Sequence, residues 1–497
     1  MIKEVVKQYF VYGIGSIAQT ALGIILLPLY LRLFSPSQYG VISLLIVVSS
    51  FLSMFASVGI VSALFRLYYD EEVEERKKLV GNALLWYLLG GAIVGAILYT
   101  QATPLSQLLF HGEEYSYTIR LLGVFLFLSM VQAVPFGALQ IEKKAGLYVG
   151  FSLFRFFVDF GLKLYFIGFL GRGIGGYFES SIIASLVVLC LMIPFVFRYI
   201  SLTPSTLHLR ALFRLGAPYI VNGIAIWVIA SSDRLILNHF SGQAAVGVYS
   251  LAYTFAGLFT IFLASPINLL IDPFFFSHAA RMSAEETKAL LSKILIYIFL
   301  GSCVLYLAIS LGTGDVLQIF KSLFAAKSGY LDAAKFVPLL TLAPMLYFIS
   351  TSSGLAMLLV KKPGFIAIAS FVAAIVSIGL NLVLIPRYGI WGAAVTAAIV
   401  YVVLDILCYW WAQRLFHVSY SWWSLFKGVV ALAVAFAIGW VIHIPSHPWF
   451  SLLARVAAGV IIFGLLVWFA SNILTKVDKA RALNYVRNML AARRTLG

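Results

Sequence analysis

The sequence predicts an all-α, polytopic membrane protein of about 14 transmembrane helices, built as two parallel six-helix lobes with two helices appended. Three observations predict it. First, 62% of the residues are hydrophobic and only 11% are charged, against about 25% charged in a soluble domain. Second, the apolar residues fall into runs that meet the length of about 20 needed to span a bilayer. Third, two short motifs recur in the same order. Phe34-Ser35-Pro36-Ser37-Gln38-Tyr39-Gly40-Val41-Ile42-Ser43 returns as Phe240-Ser241-Gly242-Gln243-Ala244-Ala245-Val246-Gly247-Val248-Tyr249-Ser250. Gly173-Ile174-Gly175-Gly176 returns as Gly389-Ile390-Trp391-Gly392.

The expected spans follow in chain order. The run 9–33 comes after Lys3 and Lys7, is too long for a signal-peptide core and is followed by no small-residue cleavage site, so it reads as a retained first span. Span 2, 40–65, opens on the first Phe-Ser motif and ends at Arg66. The charged stretch Asp70–Lys78 reads as a solvated loop before span 3, 79–101, and span 4 is 118–140. Spans 5 and 6, 148–170 and 176–198, flank the first Gly-Ile motif. Spans 7 and 8, 212–239 and 246–276, flank the second Phe-Ser motif. Spans 9 and 10 are 290–312 and 335–360, with 313–334 read as the longest outer connection. Spans 11 and 12, 364–386 and 390–412, flank the second Gly-Ile motif. Spans 13 and 14 are 424–444 and 449–472. Trp410, Trp411, Trp422, Trp423 and Trp449 stand at the ends of these runs, where Trp anchors helices at the lipid–water interface.

Both motif pairs fall six spans apart. That offset is even, so corresponding spans cross in the same direction and the repeats are parallel, related by an axis near the membrane normal. The expected divisions are 1–200 and 201–415 for the two lobes, 416–475 for the appended helices and 476–497 for a basic tail. The net charge of +16 lies mainly in short connections. Placing the termini in the cytoplasm puts most Lys and Arg inside and leaves Arg32, Arg120, Arg172, Lys321, Lys327, Lys335 and Arg387 outside. The basic tail fits attraction to anionic headgroups rather than nucleic acid.

Cys190, Cys303 and Cys408 sit within apolar runs, so neither a disulfide framework nor a metal site is expected. No Gly-rich loop ends in Gly-Lys-Ser/Thr, so no nucleotide site is expected, and no catalytic constellation marks an enzyme. Ionisable residues inside spans are the functional candidates. Arg155, Asp159 and Lys163 repeat at every fourth position of span 5 and share one helical face. One carboxylate serves one of the two bases and leaves a cation over; the face is either a cavity wall for an anion or a ladder tying span 5 to a neighbour. Asp233 and Arg234 are adjacent on span 7, so they point to different faces and need not pair; a gate is one reading. Arg66 ends span 2 on the inside and is a binding candidate or a topology anchor. Asp159, Glu179, Asp272 and Asp405 are candidates for ion coupling, with no spacing that specifies an ion, and Arg455 is expected to be structural.

The chain resembles oligosaccharide flippases of the polysaccharide-biosynthesis (Wzx) type, in the exporter superfamily that includes lipid II flippases and multidrug antiporters. The resemblance rests on Pro28-Leu29-Tyr30-Leu31-Arg32 with Ser35 and Tyr39-Gly40, on Gly216-Ala217-Pro218 with Ser232-Asp233-Arg234 and Val246-Gly247-Val248-Tyr249, and on Asn381-Leu382-Val383-Leu384-Ile385-Pro386 with Tyr388-Gly389 and Gly392-Ala393-Ala394. It implies alternating-access transport of an undecaprenyl-diphosphate-linked oligosaccharide across a bacterial or archaeal cytoplasmic membrane, for cell-surface polysaccharide synthesis. It further implies a central cavity lined partly by spans 1, 2, 7 and 8, no cofactor, a coupling proton or sodium ion, and membrane lipids, a polymerase and glycosyltransferases as partners. Arg suits a diphosphate because its planar fork bonds two oxygens at once. A cation-coupled drug exporter on the same fold is the alternative. A membrane glycosyltransferase or polymerase is a more distant one, because the 313–334 connection is short and Asp315 and Asp332 form no constellation.

Overall fold

The computed structural model describes residues 23, 25–196, 198–267, 275, 282–362, 364–442 and 447–470. Among them every regular element is helical. The helices are α1 (Leu27–Leu33), α2 (Pro36–Ser57), α3 (Ile60–Leu67), α4 (Val73–Thr100), α5 (Ala102–Phe110), α6 (Ser116–Ile141), α7 (Ala145–Lys163) and α8 (Gly173–Val196). They continue as α9 (Thr206–Phe259), α10 (Ala284–Phe324), α11 (Ala333–Leu359), α12 (Gly364–Tyr388), α13 (Ile390–Leu415), α14 (Trp422–Val441) and α15 (Pro448–Leu465).

Twelve helices among the described residues are long and apolar enough to cross a membrane, against the 14 expected. One of them, Thr206–Ile267, covers two expected spans. It breaks at Gly242, whose φ of 80° and ψ of 173° leave the helical region. The first expected span lies largely outside the described residues, as does the basic tail.

Two expected loops are helical. In Asp70–Lys78 the helix begins at Val73. Glu74 and Glu75 fall in its first turn, where they meet the positive end of the helix dipole, and pair with Lys77 at 2.9 Å and Lys78 at 2.7 Å. The expected connection 313–334 is replaced over its first half by α10, which runs on to Phe324. Thr313 and Asp315 are buried in the helix. Thr313 donates to Ile309 O at 2.6 Å, and Asp315 is neutralised by Arg455 of α15 at 3.2 Å.

The described chain forms two compact units. The first holds the described residues up to Leu251 with Phe320–Ala333 and Ala367–Val400. Here α4 and α6 approach closely at Gly95 and Gly123: a Cβ on Gly123 would stand 2.8 Å from Gly95 O. Small residues allow such backbone approach where no hydrophobic effect drives helices together. Polar ties add direction. Trp86 of α4 donates to Ala56 O at 2.8 Å, and Gln132 of α6 donates to Ser185 O at 2.7 Å. The link between α8 and α9 is sewn to α4, where Asn82 donates to Thr203 O at 2.9 Å and accepts from Ser205 N at 2.8 Å.

The second unit holds Ala252–Ile319, Ala334–Ile366 and the described residues from Tyr401. Its α14 and α15 pack as a hairpin against α10. Leu311 fills the space left by Gly439 and Gly459, where an added Cβ would meet its Cδ1 at 2.5 and 2.7 Å. The Arg455 Nε–H also reaches Gly439 O at 3.3 Å.

Candidate functional site

The charged face of α7 survives folding as an unequal triad. Lys163 Nζ lies 2.5 Å from Asp159 Oδ2, and Ser181 of α8 donates to Asp159 Oδ1 at 2.9 Å. Asp159 thus uses both oxygens and ties α7 to α8. Lys163 is buried and its ammonium sits 4.2 Å from the centre of the Tyr177 ring. Tyr177 in turn meets Tyr30 of α1 at 5.8 Å. Arg155, two turns back on the same face, is half-buried and has no hydrogen-bond or ion-pair partner among the described residues; Asp159 is the charge acting on it. The π-helical stretch Leu164–Phe169 begins directly after Lys163. Such stretches re-aim the side chains that follow and recur at functional sites.

Glu179, two residues from Tyr177 on α8, is held at the edge of this group. It accepts from Tyr117 at 2.9 Å and pairs with Arg172 at 2.9 Å. Arg66 is exposed at the end of α3. Its neighbour Tyr68 donates to Glu142, and Arg76 lies 5.2 Å over the Tyr68 ring. Burial, and then the Glu142 carboxylate, hold the Tyr68 phenol well above its usual range, so it remains a donor. Asp405 of α13 belongs to the second unit, where no cation pairs with it among the described residues; the Ser350 hydroxyl of α11 donates to Tyr347 O at 2.7 Å. Asp272 lies outside the described residues.

Asp233 and Arg234 are not separated as their positions on successive helix faces suggested. Both are buried, and Arg234 NH1 lies 3.8 Å from Asp233 Oδ1, which also accepts the Arg234 backbone N–H at 2.8 Å. The break at Gly242 folds α9 back on itself and brings Tyr249 to Asp233 Oδ2, where its hydroxyl donates a short bond. Arg234 also donates to Ala230 O at 2.8 Å and lies 5.8 Å from the centre of the Tyr249 ring. A buried carboxylate needs such partners, because an unpaired one costs far more than a hydrogen bond returns.

The two Phe-Ser motifs meet each other. A Cβ on Gly40 would lie 1.9 Å from Gln243 O, and one on Gly247 would lie 1.9 Å from Pro36 O. The offset that lays Gly40 on Gly247 also lays Pro36 on Gln243, so the contact is mirrored. Ser37 adds a hydrogen bond to Gln243 Oε1 at 2.9 Å. The segment after α10 seals this junction: Lys327 N donates to Leu31 O at 2.9 Å, and Tyr330 donates to Phe34 O at 3.2 Å. Below the junction α2 and α9 stay in contact through Ser50–Trp227 at 2.9 Å and Gly59–Gly216, where a Cβ on Gly216 would meet Val58 O at 2.3 Å.

The sequence reading missed Tyr177, Ser181 and the roles of Tyr30 and Tyr249. Tyr30 and Tyr249 lie inside quoted motifs, and Tyr177 and Ser181 share a face of α8 by their i, i+4 spacing. Nothing local says that these faces meet Asp233 or Lys163. Among the described residues no group of three or more His, Cys, Asp or Glu converges to hold a metal ion.

A family model described as polysaccharide biosynthesis protein matches residues 30–298. The succinoglycan biosynthesis transport protein ExoT of Rhizobium meliloti is 24% identical over 276 residues, covering 53% of this chain and 54% of that protein. The probable low-salt glycan biosynthesis flippase Agl15 of Haloferax volcanii is 21% identical over 276 residues, covering 54% and 56%. The chain thus spans about half the length of these relatives. Among solved structures, the lipid II flippase MurJ in an inward closed conformation superposes with a TM-score of 0.73 at 12% identity, over 94% of this chain and 99% of that one. An inward-facing multidrug resistance transporter of the MATE family gives 0.67 at 16% identity, over 82% and 94%. The fold is that of these transporters.

Proposed function

The chain belongs to the polysaccharide biosynthesis protein family, and from that membership we propose that it is a flippase for an undecaprenyl-diphosphate-linked oligosaccharide. The observation that carries the reading is Arg155. It lies midway along α7, about 15 Å from the helix start at 1.5 Å per residue. That is about half of a hydrocarbon core roughly 30 Å thick, too deep for its head to snorkel to either surface. A half-buried guanidinium at that depth, with its nearest carboxylate already engaged by Lys163 and Ser181, calls for a wet path and an anionic ligand. A diphosphate meets that demand with two oxygens for the planar fork.

In this reading the two six-span lobes alternate access across the cytoplasmic membrane, with both termini in the cytoplasm. The Phe-Ser junction closes the outer mouth, and the Asp233–Arg234–Tyr249 group braces the span that carries it. Arg66 receives the headgroup at the inner mouth. Asp405, Asp272 or Glu179 takes up the proton or sodium ion that drives the cycle, and a polymerase and glycosyltransferases work on either side of the step. The carriage of a glycan is supported by the names of the two relatives, one a succinoglycan transport protein and one a glycan flippase.

The test is genetic. Loss of the gene is expected to accumulate a lipid-linked glycan on the cytoplasmic face. Wild type restores export, while Arg155→Ala and Lys163→Ala, expressed at equal level, lower it at least ten-fold. Full restoration by Arg155→Ala would end this reading, and accumulation of a drug rather than a glycan would favour the exporter alternative.

A further inference from the structure

The aromatic surface beside Lys163 has chemistry that anion binding does not use. Tyr30 and Tyr177 set their rings 5.8 Å apart at 58°, and the buried Phe34 backs Tyr30 at 5.9 Å. Both tyrosine rings are half-buried, and neither hydroxyl has a hydrogen-bond partner among the described residues. Lys163 is buried against this surface: its ammonium lies 4.2 Å from the centre of the Tyr177 ring and is held by Asp159. The place therefore offers half-buried aromatic rings edged by two hydroxyls without a partner among the described residues. A pyranose ring has the complementary form, with an apolar C–H face and a rim of hydroxyls.

We propose that Tyr30 and Tyr177, with Lys163 packed on the Tyr177 ring, form a sugar-reading subsite, separate from the diphosphate anchor at Arg155. The proposal rests on the flippase reading above. Lys163 lies two helical turns beyond Arg155, about 12 Å along the axis. A lipid-linked glycan held at Arg155 by its diphosphate runs along α7 toward Lys163, so the subsite meets a sugar some way along the glycan and not the phosphates. Arg155 thus recognises what all such lipids share, and the tyrosines recognise what distinguishes one glycan from another. Asp159 is a positioning residue here: bonded to Ser181 and Lys163, it fixes the ammonium over the Tyr177 ring.

The test uses the full-length protein in nanodiscs, titrated with undecaprenyl diphosphate and with an undecaprenyl-diphospho-oligosaccharide of at least three sugars. Wild type is expected to prefer the glycosylated lipid. Tyr30→Phe and Tyr177→Phe keep the rings and remove the hydroxyls; each is expected to cut that preference about five-fold, the worth of one hydrogen bond, and to leave affinity for the bare lipid unchanged. Tyr177→Leu removes the ring and cuts the preference further. Arg155→Ala weakens both lipids equally. Thermal unfolding of each variant checks that it is folded. Wild-type binding of both lipids with equal strength overturns the subsite alone, as do Tyr variants that alter both affinities or neither, while the Arg155 effect upholds the flippase reading. Binding of neither lipid by wild type sinks the flippase reading and the subsite with it.

Discussion

At the scale of single residues, charge placement decides how much of this chain could be read from its order. The α7 triad was legible because its three members repeat with the helix period on one strand of sequence. The Asp233–Arg234 pair was legible as a motif but not as a pair, since Tyr249 reaches it only after Gly242 turns the chain. Asp315 was misread as a loop residue because its partner lies far away in sequence at Arg455. That buried pair yields a sharp expectation. Arg455→Leu strands a fully buried carboxylate and is expected to cost about 3–5 kcal/mol. Replacing both partners, Arg455→Leu with Asp315→Leu, should recover most of the loss, because an apolar pair of similar volume is often neutral. Thermal melts of the single and double variants decide it; a double variant no better than the single would mean the pair is not what α15 rests on.

At the scale of elements, the apolar runs gave the helices, and a few helix starts carry a local signal. Ser35 is an example: its hydroxyl accepts from Gln38 N at 3.2 Å while its own N–H reaches Gln38 Oε1 at 2.9 Å, a capping box visible as Ser-x-x-Gln. The end of α10 was not visible, because what prolongs it is burial against α15, a tertiary event. The glycines divide the same way. Gly40 and Gly247 were noticed as repeat residues, but only the fold reveals that a methyl group on either would overlap a backbone oxygen. Gly40→Ala and Gly247→Ala are each expected to destabilise the protein by about 1–3 kcal/mol, the usual cost of overpacking. Gly150→Ala, where nothing lies within 4 Å, should be neutral. Equal melting temperatures for all three would show that the junction yields.

At the scale of the whole molecule, the duplication was the most legible feature and its use the least. The proposed alternating-access cycle requires the Phe-Ser junction to part. A short thiol-reactive bridge between Ser37→Cys and Gln243→Cys, in a background lacking the exposed Cys190, is expected to halt transport reversibly. Undiminished transport with the bridge in place would mean that the junction stays shut through the cycle. The mirrored contact itself, Pro36 with Gly247 and Gln243 with Gly40, has the form of an isologous dimer interface preserved inside one polypeptide. In a true dimer every substitution is made twice. Here the halves have been free to diverge: the alignment that lays Gly173 on Gly389 lays Arg155, Asp159 and Lys163 on Phe371, Ile375 and Gly379. Two copies joined in one chain can carry charge in one half where the other is apolar, a division of labour closed to a pair of identical subunits.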